Sequence, residues 1–273
     1  MSRKKHVEGI CHICGAYGPL SFEHVPPQKA FNCSTGYMLR GYDAIKMGVV
    51  ESIPEHSGQH YQGGVGENTL CGRCNNNTGH WYGAAYVDWA TQGLEVLLRT
   101  RLAPTLYYAF RIYPLRVLKQ IICCFISING EGFREKNEEL ARFVLDKERF
   151  GLNPKYQIYV FYCVSRFLRH SGVSSRLAVF GDHSSSVFSE FVHPPWGYTL
   201  VFDSIPPDKN LVDITSFAKF SYSYSREVHL KLPVMPIATA YPGDYRTRKE
   251  VEEQAEQSRQ EMEEREMSRS GNA

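Results

Sequence analysis

Apolar positions recur at helical spacing between Asn75 and Leu98. Trp81, Ala85 and Trp89 fall on one stripe, with Tyr82, Tyr86, Ala90 and Leu94 beside it. The pattern predicts a helix over this stretch. Gly79, Gly83 and Gly93 interrupt it; glycine weakens a helix but lets another element approach closely. Pro104 marks a boundary soon after. Val117–Ile128 is apolar throughout and reads as a buried element of either type. Asn137 is placed to cap a helix that carries Leu140, Phe143 and Val144 on one face and stops at Gly151. Short β-type runs follow: Tyr156–Cys163, Arg176–Phe180, Tyr198–Phe202, Phe217–Tyr224 and Val228–Leu232, with Pro and Gly between them. They predict an antiparallel sheet accompanied by one or two helices.

The first hundred residues have a different texture. Six glycines fall between Gly58 and Gly79, and six of the ten histidines lie in this part. Such a stretch is rich in loops and needs something other than a core to organise it. At the other end, Arg246–Ala273 holds 6 basic and 8 acidic residues and few apolar ones. It reads as a solvated helix fraying into disorder, or as a partner-binding tail. The expected organisation is thus an N-terminal unit over 1–103, an α+β domain over 104–245, and a charged tail over 246–273.

Charge and composition narrow the classes. The 273 residues include 31 Lys and Arg against 29 Asp and Glu, a net charge of +2. That excludes a histone-like polycation but not a local basic face. With 42% hydrophobic and 22% charged residues, wholesale disorder is excluded too. The basic N-terminus has no apolar region after it, and the longest apolar run, Ile121–Ile128, falls far short of the ~20 residues of a spanning helix. The expectation is a cytoplasmic protein without membrane contact.

Four of the eight cysteines form two Cys-x-x-Cys pairs, Cys11/Cys14 and Cys71/Cys74. In a chain without a secretion signal this pattern points to a metal rather than to disulfides. Two such knuckles supply four thiolates for one tetrahedral Zn2+. The 56 residues between Cys14 and Cys71 suit a zinc ribbon with an insertion or a treble clef with a long loop. Glu23-His24 follows the first knuckle, on an expected β-hairpin. Asn75 follows the second, at the start of the predicted helix. Carboxylate and carboxamide oxygens are hard ligands suited to Mg2+ or Mn2+, and a neighbouring imidazole can act as a general base. Cys33, Cys123 and Cys124 read as small core residues, and His56 and His60 as surface. Arg3, Lys4, Lys5, Lys29 and Arg73 can meet phosphates.

The order Cys11-x-x-Cys14, Glu23-His24-Val25-Pro26, then Asn68-x-x-Cys71-x-x-Cys74-Asn75 resembles the HNH nucleases of the His-Me finger, or ββα-metal, superfamily, over residues 11 to about 80. The resemblance implies an α+β protein whose zinc-stabilised ββα-metal, treble-clef-like unit precedes a mixed antiparallel-sheet and helix domain. It implies an endonuclease that hydrolyses phosphodiester bonds in DNA. His24 would activate water, Glu23 and Asn75 would hold a catalytic Mg2+ or Mn2+, and Asn68 would orient the His ring or tie the loop. Cys11, Cys14, Cys71 and Cys74 would hold the structural Zn2+. Some relatives use a His of that helix as a metal ligand, and Asn76 and His80 are four apart on one helical face, so the resemblance makes His80 a candidate to replace or supplement Asn75. The family pairs Glu23 and His24 on irregular backbone, because neighbours on a regular strand point to opposite faces. Such units occur in restriction, mobile elements and anti-phage defence, with partner domains that supply specificity, oligomerisation or regulation; a homo-oligomer or protein partner through the C-terminal domain is expected on that analogy. The second class open to these residues is a zinc-stabilised nucleic-acid or protein binding module without catalysis.

Overall fold

The computed structural model describes residues 7–33, 36–39, 59–61, 63–100, 103–164, 168–177, 185–239 and 241–270. Arg3, Lys4, Lys5 and His56, together with residues 178–180 of one expected strand, lie outside these.

Strands β1 (Val7–Ile10) and β2 (Tyr17–His24) form a hairpin, with Ile10 opposite Tyr17. The long insertion contributes β3 (Gly36–Leu39) and β4 (Gln59–Tyr61), and the chain then returns as β5 (Gly66–Cys71), antiparallel to β2. These pairings give a three-stranded sheet in the order β1-β2-β5. From Cys71 the chain turns directly into a long helical element: α1 (Gly72–Thr78), a π-helical turn over Gly79–Gly83, and α2 (Ala84–Arg99). The expected helix is therefore present, with the wide turn bounded by two of its three glycines. Gly93 is the one needed for close approach, since a Cβ there would lie 2.2 Å from the Trp196 ring.

After β6 (Thr105–Ile112), the apolar run of undetermined type forms α3 (Pro114–Ile128), started by a proline that needs no intrahelical donor. It is buried on nearly every side, Cys123 and Cys124 included. Short helices α4 (Glu131–Lys136) and α5 (Glu138–Leu145) follow. Asn137 precedes α5 as expected, but its side chain does not cap the helix. It donates to the Phe133 carbonyl at 2.9 Å and accepts from the Tyr156 hydroxyl at 3.2 Å. The helix also ends at Leu145, ahead of Gly151.

The remaining strands are β7 (Tyr156–Cys163), β8 (Leu168–Leu177), β9 (Ser185–His193), β10 (Trp196–Phe202), β11 (Val212–Asp213) and β12 (Arg226–Met235). They join the insertion hairpin and β6 in one sheet ordered β4-β3-β8-β9-β10-β7-β12-β6, with β11 beside β7. Most pairs are antiparallel, but β12 with β7 and β3 with β8 are parallel. The expected strand over Phe217–Tyr224 is absent. A 3-10 turn over Thr215–Lys219 buries Phe217 and Ala218. The serine–aromatic alternation beyond it finds no partner strand; Phe220 and Tyr224 stack on each other instead, 5.6 Å between centroids.

One apolar core runs from Ile13 and Leu70 through Trp89 and α3 to Tyr162, Tyr198 and Leu232, so it crosses residue 103 without a break. On the other sheet face Phe161, Phe188 and Val201 pack with Ile237 and Tyr245. A buried pair pins that C-terminal segment. Arg169 meets Glu190 at 2.9 Å and the Thr239 carbonyl, and Glu190 accepts from the Tyr245 hydroxyl at 2.5 Å. The tail forms α6 (Arg248–Ser270), an exposed helix laced by pairs such as Arg248–Glu252. Thr247 and Glu250 cap its start reciprocally. No described helix is long and apolar enough to cross a membrane.

Candidate functional site

The first Cys-x-x-Cys lies in the turn between β1 and β2, closed by bonds from the Cys11 N–H to the Ala16 carbonyl and from the Gly15 N–H to the Cys11 carbonyl. The second spans the junction of β5 and α1. Two contacts bring them together: Leu20 pairs with Cys71, and the His12 N–H bonds the Thr69 carbonyl at 2.9 Å. The four sulfurs lie within 4.8 Å of one another, the only such grouping of ligating side chains among the described residues. Cys14 and Cys71 are 3.8 Å apart, close to the ~3.8 Å edge of a tetrahedron with ~2.3 Å Zn–S bonds. The set thus fits a metal such as zinc.

A hydrogen bond from Cys74 draws the Cys11 thiol down to about 4, while the same contact drives Cys74 up and burial raises Cys14. A dication held between the four sulfurs would favour the thiolate at all of them. The knuckle is braced from behind. The Arg134 guanidinium donates to the Ile13 and Cys14 carbonyls, and the His12 ring lies 3.2 Å from the Ile126 carbonyl.

Strand β2 carries the expected catalytic residues away from this cluster. A bulge between Ser21 and Phe22 precedes regular pairing of Glu23 with Glu67 and His24 with Gly66. The irregular backbone expected at Glu23-His24 therefore lies one step earlier, and the two side chains take opposite faces. Glu23 turns inward, buried, and accepts a hydrogen bond from the Ser127 hydroxyl at 2.5 Å; burial pushes its carboxyl up to about 8. His24 turns outward with Phe22, whose ring meets it edge-on at 5.0 Å. Asn68, paired with Phe22, is exposed on that same face, diagonal to His24. The His24 Nε2 lies 3.2 Å from the Gly63 carbonyl. A carbonyl only accepts, so Nε2 carries the proton and Nδ1 the lone pair.

Asn75 reaches this stretch from α1. Its Nδ2 donates to the Ser21 hydroxyl and the Phe22 carbonyl, both at 3.1 Å, and its Oδ1 has no partner among the described residues. His80 is exposed in the π turn. The structure thus brings His24, Asn68 and Asn75 to one stretch of β2 and sends Glu23 to the core. Lys29 and Arg73 are exposed nearby in sequence, and so is Cys33, which sequence had placed in the core.

The residue that ties the loop after His24 is Asn32, which the sequence reading passed over. Its buried carboxamide donates to the Pro26 and Val65 carbonyls and accepts from the Val65 N–H, each at 2.7 Å. The glycines opposite make room for it. A Cβ at Gly64 would fall 2.1 Å from the Asn32 carbonyl oxygen, and one at Gly66 2.0 Å from that of Glu23. An Asn eight residues past His24 in an aperiodic stretch gives no pattern to read; the glycine cluster facing it was the visible half of the pair.

No protein-family model, no curated protein and no solved structure matches the chain.

Proposed function

We propose that the protein is a metal-dependent endonuclease of the HNH type, hydrolysing phosphodiester bonds in DNA. One arrangement carries the reading: β2, β5 and α1 meet at the four cysteines, while His24, Asn68 and Asn75 share the polar stretch beside them. On this reading the three elements are a ββα-metal, treble-clef-like unit fastened by a structural Zn2+.

Asn75 Oδ1 is the protein oxygen available to a Mg2+ or Mn2+, with His80 as a second donor. Such an ion, when bound, offsets negative charge on the non-bridging and leaving oxygens. Glu23 as placed does not fit that donor set; it braces β2 against α3. His24, fixed in one tautomer by the Gly63 carbonyl, takes a proton from water through Nδ1. The water attacks phosphorus in line with the leaving 3′ oxygen. Asn68 and Phe22 hold the ring's surroundings.

The inward Glu23 favours the second reading, a zinc-stabilised nucleic-acid or protein binding module without catalysis. Plasmid nicking in Mg2+ and Mn2+ separates the two. Asn75→Ala is expected to lose cleavage and recover part of it at higher metal concentration. Glu23→Gln keeps the bond to Ser127 and is expected to cleave within a few-fold of wild type. A folded, zinc-loaded Glu23→Gln that cannot cleave would place that carboxylate at the metal. Wild type that nicks under no metal condition would leave the binding module.

A further inference from the structure

Strand β6 ends the large sheet, so among the described residues no strand lies on its outer side. One bond fixes which of its backbone groups point that way. The Val234 N–H reaches the Pro104 carbonyl at 3.0 Å, one step before Thr105 pairs with Pro233. Hydrogen-bonded and non-hydrogen-bonded pairs alternate along an antiparallel ladder. Leu106, Tyr108, Phe110 and Ile112 therefore bond to β12, while Thr105, Tyr107, Ala109 and Arg111 turn their N–H and C=O outward. Arg111 bears this out, because the Gln92 side chain of α2 takes both of its backbone groups. The Arg111 N–H donates to Gln92 Oε1 at 3.0 Å, and its carbonyl accepts from Nε2 at 2.9 Å. A carboxamide thus stands where the peptide of a further strand would stand.

Thr105, Tyr107 and Ala109 lack that cover. Their backbone groups have no partner among the described residues. Unpaired backbone groups are rarely buried away from water, so this stretch of edge meets solvent. The side chains leave it clear. Tyr107 is 70% exposed, and its hydroxyl lies 3.0 Å from His229 Nδ1, which draws the ring over β12 and away from the edge. Proline, bulges and charged side chains commonly blunt an edge, and none falls between Thr105 and Phe110. The opposite end of the sheet is the three-residue β4. The open stretch of β6 is bounded by Pro104, which has no N–H, and by Arg111, already engaged.

We propose that this stretch pairs with the same stretch of a second copy, antiparallel about a two-fold axis at Tyr107, so that two large sheets join into one. In that register Tyr107 faces its own copy, and Thr105 faces Ala109 of the second chain. These are the outward positions on both strands, so each pair exchanges two main-chain bonds and no free group is left over. Arg111 lies beyond the paired stretch, so no like charges oppose each other. On the reverse face the part-exposed Tyr108 falls opposite the buried Leu106 of the second copy. A second copy fits better than an unrelated strand because the open stretch is symmetric about Tyr107 and is its own complement, as a two-fold interface requires. The pairing is independent of the nuclease reading.

The test uses the full-length protein without nucleic acid. Sedimentation velocity from about 1 to about 100 μM, where small specific interfaces associate, should show a species with the mass of two 31.2 kDa chains growing with concentration. Amide hydrogen exchange resolved to single residues should find Leu106, Tyr108 and Phe110 slow at every concentration. Thr105, Tyr107 and Ala109 should be fast in dilute protein and slow in the dimer. Ala109→Pro removes an outward N–H but leaves the ladder to β12 intact, and should weaken dimerisation about tenfold or more. Tyr107→Lys sets like charges opposite each other and should act in the same direction. Phe150→Lys alters an exposed ring elsewhere and should dimerise as wild type. Slow exchange at Leu106, Tyr108 and Phe110 reports that a variant keeps its ribbon. The proposal is overturned if wild type stays monomeric throughout, or if a dimer forms with the three edge amides still fast. It is overturned equally if Ala109→Pro and Tyr107→Lys, with the ribbon intact, dimerise as wild type.

Discussion

His193, at the end of β9, is closed in by the sheet, and burial pulls its imidazole down to about 4. The folded protein keeps this ring neutral until the pH approaches 4, whereas the unfolded chain takes up a proton near 6.5. Between those values the unfolded state binds more protons, so stability falls as pH drops through that window. From pH 7 to pH 5 the His193 contribution should fall by about 2 kcal/mol. Denaturant unfolding at both values, on wild type and on His193→Gln, reads it; parallel losses in the two proteins would contradict it. Glu23 belongs to the same scale. The sequence reads Glu23 as a metal ligand, but its direction is not legible there, because one bulge between Ser21 and Phe22 decides which face each later residue takes. The four cysteines were legible because two-residue spacing fixes a knuckle locally, whatever the rest of the chain does. Asn32 was not, because its partners are set by a return of the chain from residue 65.

Elements differ in how much they disclose. The helix with Trp81, Ala85 and Trp89 shows its stripe, because only one side is buried. In α3 nearly every position is buried, so the stripe vanishes and helix cannot be told from strand. β6 and β9 went unnoticed as separate strands, while Phe217–Tyr224 imitated one through alternation alone. Gly93 tests the packing of α2. In an open helix, Gly→Ala gains up to ~1 kcal/mol. Here the added methyl would meet Trp196 at 2.2 Å, and Gly93→Ala should instead cost about 1–3 kcal/mol in urea unfolding. A neutral or stabilised variant would show that α2 and β10 are not so closely packed. The helix α6 has the opposite character, with its ion pairs at i, i+3 and i, i+4 and no apolar face. Limited proteolysis should remove it first and leave a folded body ending near Tyr245. A tail as resistant as the body would mean that it is docked.

Among the described residues the molecule has a main apolar core from Cys11 to Leu232, a second apolar cluster on the other face of the large sheet, and the four-cysteine cluster, two of whose members, Cys11 and Cys74, belong to the main core. The cysteine cluster links segments 57 residues apart, so a metal bound there would contribute folding energy to the N-terminal sheet. Elemental analysis should find one zinc per chain, and Cys11→Ser or Cys74→Ser should lose both the metal and the fold of that region. A fully folded protein free of zinc would contradict this. The proposed nuclease activity stands or falls with His24. The decisive measurement is the rate of plasmid nicking in Mg2+ by His24→Ala beside wild type. His24→Ala should lose roughly 10²–10⁴-fold, the usual contribution of a general base, with zinc content and oligonucleotide binding unchanged. A His24→Ala protein that nicks DNA as fast as wild type would place the activity elsewhere and contradict it.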